Sequence, residues 1–140
     1  MTGGEKEYAK KLGFNILTEN AGVEFPGNTI VTTRSYIKAN REHVKKFVRG
    51  FVDVIHFVKA QPEKTKALLQ EIYRQSDEKI IAKQYEDLVS LFPDYPYLTR
   101  NAIQTFLDIL REEGKIKQPV DPEVFTDMSF LKEVEKERSR

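Results

Sequence analysis

Apolar residues along this chain change their spacing at about residue 40. Before it, Phe14-Asn15-Ile16-Leu17 and Thr29-Ile30-Val31-Thr32-Thr33 are short runs, the second enriched in β-branched residues, and each predicts a strand. A short helix over 5–12 precedes them, closed by Gly13, and Gly22, Pro26 and Gly27 separate the two runs. After residue 40, Val44, Phe47, Val48, Phe51, Ile55 and Val58 recur every three or four positions, the signature of one helix face, with Asn40 as its expected N-cap.

The same period continues in three further segments. Pro62 ends the first helix and opens a second, with Ala67, Leu68, Leu69 and Ile72 as its inward positions. Ser76 is the expected cap of a third, packed through Ile80, Ile81, Tyr85, Leu88 and Val89 and ending near Phe92. Pro93 and Pro96 enforce an extended connection. Thr99 caps a fourth helix carrying Ile103, Phe106, Leu107 and Leu110, and Gly114 terminates it. Asp121-Pro122 begins a last turn, Phe130, Leu131 and Val134 anchor the tail, and 135–140 are expected to fray. No repeat or Gly/Ser linker divides the chain, so 1–140 reads as one domain: a short helix and strands over 1–36, then a helical region over 37–140.

Composition narrows the function classes. The chain has 140 residues, 39% of them hydrophobic, with nine Phe and six Tyr, which suffices for a packed core. Its 23 Lys and Arg against 22 Asp and Glu leave a formal charge of +1, no field for drawing in nucleic acid. There is no Cys, so disulfides, thiolate metal sites and a thiol nucleophile are excluded. Val44, Val48 and Val58 share their stretch with Lys45, Lys46, Arg49, Asp53 and His56, too many charges for membrane insertion, and the first residues show no export signal.

Few residues suggest chemistry. His43 and His56 are the only histidines and lack metal-ligand spacing, so both read as structural. Glu112-Glu113 has no partner for acid–base work, and neither a nucleophile elbow nor a phosphate loop is present. Arg41, Lys45 and Arg49 repeat at spacings of four, with Arg34, Lys38 and Lys46 nearby; this face is either a solvated surface or a dock for an acidic partner or anionic ligand. The segment 92–97, where Phe92, Tyr95 and Tyr97 alternate with Pro93 and Pro96, reads either as a seal on the helical core, with Phe92 and Tyr95 packing inward, or as an aromatic recognition surface. No catalytic residue and no cofactor is expected.

The ordered segments TIVTTRSYIKANREHVKKFVRGFVDVIHFVKAQPEKTKALL, LFPDYPYLTRNAIQTFLDILREEG and DPEVFTDMSFLKEVE resemble the closing half of NMT1/THI5-like binding proteins, which are similar to the taurine, sulfonate and nitrate receptors of ABC importers. The resemblance implies an α/β, helix-dominated fold: a partial periplasmic-binding-protein type II-like lobe, with short N-terminal strands of the inter-lobe return before a helical C-terminal region. It implies noncovalent capture of a small organic molecule or anion for import, an ABC permease as partner and a periplasmic or extracytoplasmic setting for the full-length protein. Two-lobed receptors bind between lobes, and this chain supplies at most one wall. Phe25, Asn28 and Thr29, where the return strand would pass the cleft floor, are the candidate ligand-binding residues. The related enzymes that make the thiamine pyrimidine use cysteines, which this chain lacks. The alternative is a stand-alone helical interaction or oligomerisation protein, and a homodimer is the expected state of the isolated chain.

Overall fold

A computed structural model describes residues 8–15, 24–27 and 29–139. It is helical after residue 40, as the change of period predicts, and already so from Arg34, which the pattern does not announce. Helix α1 covers 8–11, followed by α2 (Arg34–Ala39), α3 (Arg41–Ala60), α4 (Pro62–Tyr73), α5 (Glu78–Leu91), α6 (Arg100–Glu112), a 3-10 turn (Pro122–Val124) and α7 (Ser129–Arg138). The tail therefore stays helical to Arg138 rather than fraying from 135.

No strand occurs among the described residues. Phe14 and Asn15 are irregular, while Ile16 and Leu17 lie outside the described residues. The run 29–33 is exposed and unpaired. Its β-branched side chains favour extended backbone, which Thr33 keeps at φ −88° and ψ 151°, but a strand also needs a hydrogen-bonded neighbour. Thr33 instead caps α2, its hydroxyl accepting from the Tyr36 amide at 3.1 Å.

Helix ends follow local chemistry. Gly13 and Gly114 adopt φ +83° and +70° and close α1 and α6. At Gly114 the amide bonds Arg111 O while Lys115 N bonds Leu110 O, so two terminal carbonyls are satisfied at once. Arg74 takes the same left-handed position after α4 without being glycine, at φ 50°. Two caps differ from expectation. Asn40 turns its side-chain amide back to the Tyr36 carbonyl and so closes α2, offering only its own carbonyl to Val44 of α3. Asp77, one residue beyond Ser76, caps α5 by accepting from the Lys79 and Ile80 amides.

The chain forms two compact units, Met1–Glu19 with Phe51–Pro96, and Asn20–Gly50 with Tyr97–Arg140. The division falls inside continuous α3, which is why no linker marks it. In the 51–96 unit the buried residues are Val52 and Ile55 of α3, Thr65 of α4, and Ile80 and Ile81 of α5. In the 97–140 unit they include Ala102, Ile103 and Leu107 of α6 and Phe130, Leu131 and Val134 of α7. The inward face of α4 is not the one its Leu and Ile residues suggest. Leu68 and Ile72 are exposed, and Thr65 is buried with its hydroxyl donating to the Gln61 carbonyl at 2.9 Å.

Candidate functional site

Three places carry the residues singled out by sequence. The first is the segment around Pro26. Phe25 is half exposed and sets its ring edge-on against Phe106, with centroids 6.1 Å apart at 72°. Thr29 is exposed, and Asn28 lies outside the described residues. Beside them Thr99, the α6 cap, donates its hydroxyl to Glu24 while accepting from the Ala102 amide at 3.1 Å. The start of α6 thereby ties down the chain just before Phe25.

The second place is the basic face of α3. In the 20–50 and 97–140 unit, Arg41 pairs with Glu133, Lys45 with Glu133 and Glu137, and Arg49 with Glu137. Arg41 also lies over the Phe130 ring, 4.6 Å from its centroid. The hydrogen bond that Lys45 donates to Glu137 raises the pKa of Lys45, partial desolvation opposing it, and the same bond holds the Glu137 carboxyl below its ordinary value. Arg34 donates to the Val124 carbonyl. This face is thus engaged within the chain. The signal was present: Glu133 and Glu137 repeat at four on α7, complementing Arg41, Lys45 and Arg49.

The third place gathers Phe51 and Phe92, both singled out by sequence, into a groove that the sequence does not announce. In the 51–96 unit an apolar groove of about 70 Å³ opens between α3 and α5, lined by Ile55, Val58, Leu88 and Val89 together with Phe51 and Phe92. Those two rings meet edge to face at 6.0 Å. Lys59 also lines it and donates to Asp94 Oδ1 at 2.6 Å, which lowers the Asp94 pKa. Phe92 and Tyr95 are half-buried as core seals, Tyr95 against the His56 ring at 5.7 Å. Among the described residues no cluster of His, Asp and Glu is placed to hold a metal ion. No described helix is long and apolar enough to cross a membrane.

Comparison with known proteins yields one finding. A family model described as NMT1/THI5 like matches residues 6–65, less than half of the chain, taking in the Pro26 segment, α2, α3 and the start of α4. No curated protein gives a significant match, and no solved structure does.

Proposed function

We propose that this chain contributes one wall of a noncovalent solute-binding site in a receptor of the NMT1/THI5-like kind, serving ABC-type import outside the cytoplasm. The observation that supports the reading is the family match over 6–65, a stretch that includes the Pro26 segment and α3. The wall is the segment holding Phe25, Asn28 and Thr29, and a second lobe provides the opposite side. Phe25 offers a ring face for an organic solute, and Thr29 a hydroxyl for an anionic or polar group. Chemistry on the solute is not part of the reading: it is captured and released unchanged to a permease.

Calorimetric titration with taurine, a short alkanesulfonate, nitrate and an aminopyrimidine tests it. Binding weakened at least fivefold by Phe25→Ala or Thr29→Val supports the wall assignment; binding indifferent to both removes it.

A second reading is a helical interaction protein that pairs with another copy of itself. It is favoured by the exposed apolar residues Phe47, Val54 and Phe57 along α3. Light scattering over a concentration series tests this reading, a dimer supporting it and a constant monomer mass opposing it.

A further inference from the structure

The groove between α3 and α5 has the chemistry of a small-molecule site. Its wall is apolar, so water inside finds few hydrogen-bond partners, and an empty groove forfeits the dispersion contacts that close packing would give. An apolar cavity of ~150 Å³ accommodates benzene; in proportion, about 70 Å³ suits about three carbon atoms. Among the described residues Lys59 is the single charged one in the lining, which it meets chiefly with its methylene stem, its ammonium lying at the mouth. Its ammonium is held by Asp94, whose side chain is 64% exposed and does not line the groove.

We propose that this groove binds a small branched aliphatic carboxylate, its alkyl end between Val58 and Val89 and its carboxylate on the Lys59 ammonium in place of Asp94. Asp94 acts as the internal stand-in: an exposed ion pair is weak and exchanges readily, so an incoming carboxylate takes over the ammonium while Asp94 turns to water. An uncharged ligand of the same shape gains only the apolar contacts. An amine of that shape meets Lys59 as a like charge. The site uses residues 51–94, none of them in the Pro26 segment, so it stands or falls separately from the solute-wall reading.

The test is a titration of the ¹⁵N-labelled chain with 2-methylpropanoate, with 2-methylpropan-1-ol and 2-methylpropan-1-amine as matched controls, followed by amide chemical shifts. Saturable shifts confined to 51–59 and 88–94 are expected, with the acid bound about twofold to fivefold tighter than the alcohol, the range an exposed ion pair supplies. Asp94→Asn, which frees Lys59, strengthens acid binding. Lys59→Met abolishes the preference for acid over alcohol. Val54→Trp changes a rim residue that is 58% exposed, so it covers the groove without disturbing the core, and it abolishes the shifts. Equal binding of acid and alcohol, a preference surviving Lys59→Met, shifts persisting in Val54→Trp, or no saturation up to the solubility of the acid would each overturn the proposal. Shifts that follow protein concentration and ignore the acid would do so too, assigning the groove to a second copy of the chain.

Discussion

The Tyr85 hydroxyl donates to the Val58 carbonyl across 3.2 Å, joining α5 to the last turns of α3. That carbonyl would ordinarily accept from the amide of residue 62, four positions on, but residue 62 is proline and has no amide proton. Thr65 adds a longer contact to the same oxygen at 3.4 Å. The residue that ends α3 and starts α4 thus creates the acceptor that α5 uses for docking. Tyr85→Phe should lower stability by about 1 kcal/mol in reversible denaturation, the usual net value of such a bond. In a Pro62→Ala background, where a backbone amide returns to the carbonyl, the same change should cost less than half as much. Equal costs in the two backgrounds would mean that the hydroxyl is not serving the orphaned acceptor.

Arg74 holds a left-handed conformation that a side chain disfavours, and its amide and that of Gln75 bond the Glu71 and Gln70 carbonyls. Arg74→Gly should raise stability by about 0.5–1 kcal/mol, the relief of Cβ strain exceeding the entropy glycine adds to the unfolded chain. A lower melting temperature for the variant would contradict this.

Core and surface of the 51–96 unit separate cleanly. Ile81 is 2% exposed and Ile72 71%, although both lie on amphipathic helices. Ile81→Ala should cost about 2–5 kcal/mol and Ile72→Ala within about 0.5 kcal/mol. Denaturant midpoints of the two variants decide the matter, and comparable losses would reverse the inward face assigned to α4.

The Lys45–Glu137 pair makes stability depend on pH at both ends. Glu137 has a folded pKa below its ordinary value, so its contribution is present above that value and is lost as pH falls through the folded one. Lys45 has a folded pKa above its ordinary value, so its contribution is present below that value and is lost as pH rises through the folded one. Glu137→Gln should flatten the acid limb of a stability–pH profile and reduce its sensitivity to salt, since these groups are exposed to screening. An unchanged acid limb would show that the pair does not hold α7.

Much of the helical architecture was legible because its signals are local. Gly13 and Gly114 end helices, Thr99 and Asp121 cap them, and Phe130, Leu131 and Val134 are buried as their spacing implies. Errors arose where a tertiary partner decides. On α3 the fully buried residue is Val52, while Phe51 is half-buried at the groove and Phe47 is exposed, a rotation that periodicity does not determine among so many apolar positions. Asn40 caps backward because α2, too short to announce itself, lies before it. The groove escaped notice because its walls, Val58 on α3 and Val89 on α5, are distant in sequence, and nothing local says that they meet.

The solute-binding reading is tested most directly by recording amide spectra of the ¹⁵N-labelled chain, joined to a lobe that supplies the opposite wall, during titration with taurine, an alkanesulfonate, nitrate and an aminopyrimidine. Dose-dependent movement of the Phe25 and Thr29 amides by at least one solute is predicted, with that solute recovered unchanged. Amides at Phe25 and Thr29 that stay fixed for every solute, or a solute converted to product, would contradict it.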